Sequence, residues 1–208
     1  MGNKTRIQKM TILSMFVAIE IILSITPLGY LNLGFISITT MHIPVIFAGM
    51  LLGEVHGSIL GFVFGLTSFL KATFAPNITS FCFSPFYSLG NIHGNFWSLV
   101  IAFVPRILLG YLSGLLYRHA KKLTKNKMLA TSVIAIGMTL LHTLMVMGMI
   151  WVFFGGTYAQ VTGVAVGAVI LVVLTSNGLL EMLVAGVVLP MLMRFLQPVF
   201  TKLNLDKS

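Results

Sequence analysis

Apolar residues recur along the chain in runs of about twenty, separated by short polar or glycine-rich segments. That is the length a helix needs to cross the roughly 30 Å hydrocarbon core of a bilayer. The pattern predicts spans over about Met10–Pro27, Ile36–Gly53, Gly57–Phe74, Trp97–Tyr117, Met128–Phe154 and Gly163–Met193. The expected fold is all-α, a polytopic membrane protein with six transmembrane helices in one bundle, and residues 1–208 leave no room for a second domain. Polar and small positions inside the spans fall on helical stripes that should face the bundle: Arg106, Gly110, Ser113 and Tyr117 in the fourth, Thr131, Ala135, Met138, His142, Met145 and Met149 in the fifth, and Gly163, Gly167, Asn177 and Glu181 in the sixth. Gly49, Gly53, Gly57, Gly61 and Gly65 fall at every fourth position around the turn GEVHG, which predicts that the second and third helices run antiparallel with their backbones touching near that turn. In the first span Ser14 and Ala18 make a small-xxx-small face where another helix can approach. Glu20 lies about 200° around the helix from Ala18, so it should look into the bundle.

Composition supports the membrane class: 57% of residues are apolar, 8% are charged and the mean hydropathy is +1.01. A formal charge of +9 raises the question of nucleic acid. The basic residues, however, sit in short segments flanking apolar spans: Lys4, Arg6 and Lys9, then Arg118, Lys121, Lys122, Lys125 and Lys127, then Arg194, Lys202 and Lys207. There they read as orientation signals, which place both termini in the cytoplasm and leave no role for nucleic acid. The N-terminal segment resembles a signal peptide, but Glu20 interrupts the run and no small-residue cleavage site follows, so an uncleaved first span is expected. The single cysteine, Cys82, excludes an internal disulfide framework and fits neither a Cys-rich metal site nor a redox pair.

Two basic residues do not fit the one-sided distribution, Lys71 and Arg106. They bracket a connection of about twenty residues, Ala75 to Phe96, with Pro76, Pro85, Gly90, Gly94, several aromatics including Phe86, and the polar Asn91, His93 and Asn95. A long loop rich in rings is usually functional. At about 1.5 Å of rise per residue, Arg106 lies roughly 14 Å below Trp97, His42 roughly 9 Å below Ile36, His142 about 18 Å below Phe154 and Asn177 about 21 Å below Gly163. Four helices thus place polar groups in the outer half or near the midplane, which describes a pocket opening outward under the external loops. Ionisable groups at such depth cost several kcal/mol unless paired or hydrated.

Each candidate has a structural role to set beside a ligand contact. Arg106 contacts ligand or pairs with Glu20 or Glu181; Lys71 contacts ligand or snorkels to the interface. His42 precedes Pro44 and His142 lies between Met138 and Met145, and either is a ligand contact or a hydrogen-bonded structural group. Asn177 offers both donor and acceptor, to a ligand or to Glu181 one turn away. Asn91, His93 and Asn95 are loop residues before they are lid residues. The candidate substrate contacts are Arg106, Asn177, His142, Lys71, His42, Asn91, Asn95 and Phe86, with no catalytic set and no metal site. The positive outer cavity predicts a small anion, a carboxylate, with amide-type contacts from Asn.

The chain has no GxxxxGK[ST] loop, no HExxH motif, no serine or aspartate arrangement of an intramembrane protease and no obvious inverted repeat. A binding protein that takes its energy from elsewhere is the economical reading. A small intramembrane enzyme would need two of Glu20, His142 and Glu181 within reach of one reacting atom. A purely structural subunit would need no polar cavity.

The run HIPVIFAGMLLGEVHGSILGFVFGLTSFL, followed by FSPFYS, GNFWS and FVPRILLGYLSGLLY, resembles the substrate-binding S components of bacterial energy-coupling factor vitamin transporters, and within them the pantothenate type. The match is strongest from His42 to Tyr117. The resemblance implies a six-helix substrate-binding bundle in the bacterial plasma membrane, with a vitamin pocket near its outer side closed by the loops after the first, third and fifth spans. It implies a membrane coupling protein and two cytoplasmic ATPases as partners, so ATP is used by those subunits and this chain needs no cofactor. It also implies that the S component topples in the bilayer to release its load. In the family the first helix often carries Ala-xxx-Ala as the contact for the coupling protein; Ser14 and Ala18 occupy that pattern here, with Ser in place of the first Ala. Pantothenate, with one carboxylate, an amide and two hydroxyls, suits the cavity inferred above, as do other small anionic vitamins.

Overall fold

The computed structural model describes residues 3–32, 37–124 and 126–202. It is a helical bundle with two small hairpins. Helix α1 covers Asn3–Ile25, α2 His42–Leu52, α3 Glu54–Phe74, α4 Phe96–Leu123 and α5 Lys127–Thr162. The sixth helix is continuous but divided: α6 (Val166–Val173) passes through a π turn at Leu174–Gly178 into α7 (Leu179–Lys202). Strands β1 (Tyr30–Asn32) and β2 (Ser37–Thr39) pair antiparallel in the α1–α2 link, and β3 (Ser88–Leu89) and β4 (Ile92–His93) do so in the α3–α4 link.

Among the described residues, five helices are long and apolar enough to cross a membrane. The second predicted span is the exception. Its expected start, Ile36, and part of the link GYLNLGFIS lie outside the described residues, as do Lys125 and the tail with Lys207; Ser37–Thr39 form a strand, and the helix has 11 residues. That short helix is buried on nearly every side, from His42 through Leu52 apart from Ile43. A helix apolar all round is a core helix, and irregular backbone beside it is tolerated at membrane depth because protein, not lipid, surrounds it. The strand pairing of the preceding link satisfies its own backbone, which a periodicity reading cannot anticipate.

Gly53 separates α2 from α3 at φ +97°, a conformation that side chains disfavour. Beyond this turn the fourfold glycine spacing serves a partner other than the one predicted. A Cβ at Gly57 would meet Gly49 Cα at 2.7 Å, so α2 and α3 do touch near the turn. The same Cβ would also run into the Gly110 carbonyl, and one at Gly61 into the Arg106 carbonyl, while Gly65 abuts Ala102 and Phe103. The stripe therefore seats α4 on α3, with Gly110 and Gly114 of α4 answering it against Gly57, Gly49 and Glu54. Without side chains between them the two backbones approach closely, which fixes the height of every α4 residue relative to α3.

The fourth-span stripe is buried as expected, with Arg106 6%, Ser113 0% and Tyr117 5% exposed. In α5, Thr131, Ala135 and Met138 are buried, and His142, Met145 and Met149 are partly so. The sixth-span stripe breaks. Gly163 is the left-handed C-cap of α5 at φ +70°, α5 having run on past Phe154 to Thr162, and Gly167 is exposed. The π turn then inserts its extra residue between Gly167 and Glu181, so the two do not share a face.

The α3–α4 link is a packed plug. Asn77 Oδ1 accepts from Thr79 N, Thr79 Oγ1 and Ser80 Oγ at 3.0–3.1 Å, and Phe81 and Cys82 are fully buried, Phe81 meeting Phe154 edge-on at 5.6 Å. Burial pushes the Cys82 thiol up to about 12, keeping it protonated and inert. Trp97, on the predicted outer interface, stacks on Phe153 at 4.0 Å.

Candidate functional site

Arg106 is held by its own helix. Pro105 sits inside α4 without an N–H, which leaves the Ile101 carbonyl lacking its helical donor. Arg106 Nη1 donates to that carbonyl, so the guanidinium folds back toward the N-terminal end of α4. There its carbon lies 5.4 Å from the Phe64 ring centroid and 5.3 Å from that of Phe83, a cation between a ring of α3 and a ring of the plug. The His142 ring meets the same Phe64 at 5.9 Å and lies within Coulombic reach of both Arg106 and His42. Four helices thus converge: His42 from α2, Phe64 from α3, Arg106 from α4 and His142 from α5.

The polar atoms in this cluster are not all satisfied. Nε2 of His42 and Nε2 of His142 are buried and have no hydrogen-bond partner among the described residues. Groups left in that state inside a protein ask for an explanation, and an absent polar ligand is one. Glu20 of α1 is also fully buried, as its angle from Ala18 predicts, and neither carboxylate oxygen has a partner among the described residues. Arg106 therefore makes no hydrogen bond to Glu20. Glu181 is engaged elsewhere: its Oε1 accepts from Thr39 N at 2.7 Å and Thr39 Oγ1 at 2.8 Å, which pins the end of β2 to α7. The chain enters α2 at His42 just beyond this clasp. The π turn beside β2 carries Asn177, whose Oδ1 accepts from Ser176 Oγ at 3.2 Å. Single π turns inside helices recur at functional sites because they re-aim side chains.

Two comparisons with known proteins bear on this arrangement. The family model for the substrate-specific component of ECF transporters matches residues 8–193. The chain belongs to this family. The pantothenic acid transporter PanT of Lactococcus lactis subsp. cremoris (strain MG1363) is 34% identical over 186 residues, 88% of this chain and 90% of PanT. As an ECF S component the chain is a multi-pass membrane subunit of a transporter and not an enzyme, which removes the acid–base reading of Glu20, His142 and Glu181.

The S component gathers only some of the predicted contacts. His42, His142 and Arg106 form the buried cluster, and Asn177 stands on the neighbouring π turn. Lys71 is exposed in the last turn of α3, Asn91 is exposed at the tip of the β3–β4 hairpin, and Phe86 is 76% exposed, 6.0 Å from Phe69. Asn95 is the N-cap of α4: its Oδ1 accepts from Trp97 N at 2.9 Å while Ser98 Oγ accepts from Asn95 N at 3.0 Å and donates to the Phe81 carbonyl. Replacing Asn95 by alanine is expected to lower stability by about 1 kcal/mol and leave ligand affinity within twofold. Thermal melts and titration calorimetry on one preparation check both; a tenfold affinity loss would make Asn95 a ligand contact. Phe64 and Phe83 carry no signal in the sequence, because aromatic character alone does not distinguish them from core. Pro105 does: its place beside Arg106 is a legible sign that the helix frees a carbonyl there.

Proposed function

We propose that this S component binds pantothenate on the outer side of a bacterial plasma membrane and delivers it, with a membrane coupling protein and two cytoplasmic ATPases, by toppling in the bilayer. The likeness to a pantothenic acid transporter over 88% of the chain carries the choice of substrate. The cluster supports it chemically. A guanidinium steadied between two rings suits a carboxylate, and the imidazole nitrogens of His42 and His142 and the amide of Asn177 suit hydroxyl and amide groups. Lys71, Asn91, Asn95 and Phe86 belong to the outer rim in this reading, as lid rather than floor.

Both termini are cytoplasmic in this reading. In its support, Lys9 of α1 lines the same cavity as Arg118 and Lys121 of α4, so these basic segments share one end of the bundle. Ser14 and Ala18 are exposed on the outer face of α1, opposite the buried Glu20, and form the contact for the coupling protein.

Titration calorimetry of the purified protein with pantothenate, uncharged pantothenol and a panel of other vitamins tests the assignment, and Ala18→Trp extends it. Pantothenate alone should bind tightly without ATP. Ala18→Trp should keep that affinity while uptake by the assembled transporter falls at least tenfold, since a bulky ring blocks close helix approach. Tight binding of a different vitamin would overturn the substrate, and undiminished uptake would overturn the contact.

A further inference from the structure

At the end of the bundle that carries the basic α4–α5 link there is a cavity of about 210 Å³, remote from the Arg106 cluster along α4. Its wall includes Lys9 of α1, Gly53 and Glu54 at the α2–α3 turn, and Tyr117, Arg118 and Lys121 of α4. Three cations against one carboxylate leave the lining with an excess of two positive charges. Glu54 Oε1 lies 2.9 Å from Arg118 Nη1, so that pair braces α3 against α4. Lys9 is 5% exposed and its Nζ donates to the Leu52 carbonyl at 3.4 Å, which holds the ammonium against the cavity wall. Lys121 Nζ sits 5.3 Å from the centroid of the Tyr117 ring. The left-handed Gly53 leaves the mouth open, with nothing within 4 Å of where a Cβ would lie.

The volume is many times the roughly 10–15 Å³ of cavity space that one water needs, and it admits a tetrahedral oxyanion. Ammonium donors around such a space favour an anion with several acceptor oxygens. We propose that this cavity binds a phosphate group, presented either by an anionic phospholipid at the membrane surface or by a soluble phosphate compound. The proposal is independent of which vitamin the outer site takes. A lysine beside an anionic surface contributes enough attraction to change affinity about fivefold.

The test uses the whole chain in an uncharged detergent. Its melting temperature is followed during titration with phosphatidylglycerol micelles, with phosphatidylcholine as neutral control, and separately with sodium phosphate against sodium chloride at equal ionic strength. Phosphatidylglycerol, phosphate or both should raise the melting temperature above their controls. Apparent affinity should fall about fivefold in Lys121→Gln and about twenty-fivefold in Lys9→Gln/Lys121→Gln. Lys122→Gln, whose side chain is exposed and does not line the cavity, should respond like wild type. A response to the lipid alone assigns the headgroup; a response to phosphate as well assigns a soluble ligand. No response to either probe, an unchanged Lys121→Gln, or an equal loss in Lys122→Gln would overturn the site. Lys121 is exposed, so its single variant carries the test if the double variant does not fold.

Discussion

Arg106→Ala is expected to weaken pantothenate binding by roughly two to three orders of magnitude, the cost of stranding one partner of a buried, hydrogen-bonded charge pair. The guanidinium is already positioned before any ligand arrives, by the Ile101 carbonyl and by the rings of Phe64 and Phe83. Little ordering entropy remains to be lost on binding, so the charge contact should appear nearly in full. Pantothenol separates this from a packing effect, because it has an uncharged hydroxymethyl group in place of the carboxylate. Wild type and Arg106→Ala should bind pantothenol within about threefold of each other, so that the coupling between side chain and carboxylate emerges as a double-difference. Arg106→Lys should fall between, since a lysine keeps the charge but loses the planar fork and the stacking. Folding should survive, because removing a buried intramembrane charge relieves a desolvation cost. Calorimetry on the three proteins decides it: equal losses for both ligands would mean that Arg106 acts by packing Phe64 and Phe83, and the carboxylate contact would be wrong.

What made Arg106 legible was its charge, in a stretch where no membrane face accounts for it. Its alternatives were less legible. Glu20 and Glu181 are both candidates for pairing with it, and a helical wheel places both inward; in the fold Glu181 is engaged by Thr39, and Glu20 bonds nothing among the described residues. Long-range side-chain choices of that kind have no local signature. The five long helices follow from hydropathy alone, because a bilayer permits few other solutions. The second helix escapes that logic. Protein shields α2 from lipid, so its length is set by neighbours and not by membrane thickness, and the hairpin before it carries no strong strand pattern. The π turn is similar: Thr175 and Ser176 hydrogen-bond back to Leu171 and Val172, a habit that bends helices, but their presence in a sequence does not say where a helix will take an extra residue. Asn95 carries a cap signature in the sequence itself, three residues before Ser98 at the head of an apolar run.

The largest expected effect on the fold comes from the glycines between α3 and α4. A methyl group at Gly110 would overlap the Gly57 carbonyl, and one at Gly61 would overlap the carbonyl of Arg106, in each case backbone that has no rotamer by which to yield. Gly110→Ala should therefore force the helices apart at a cost of about 3 kcal/mol, the upper end of overpacking penalties, and Gly110→Leu should give no folded protein. Gly137 supplies the control. It lies in α5 with nothing within 4 Å of where its Cβ would be, so Gly137→Ala should be neutral or stabilising by up to about 1 kcal/mol through helix propensity. The same chemical change is thus expected to have opposite signs at two helical glycines of one chain, which isolates contact from propensity. Gly61→Ala goes further, since the backbone it displaces is that of Arg106 itself. Its affinity for pantothenate should drop at least tenfold in protein that still melts cooperatively, because a shift of about 1 Å at a positioned charge is enough to misalign it. Melting curves and calorimetry on Gly61→Ala, Gly110→Ala and Gly137→Ala read both effects together. If Gly61→Ala melted lower but bound normally, the glycine stripe would serve folding alone, and the height of α4 on α3 would not be what sets the site.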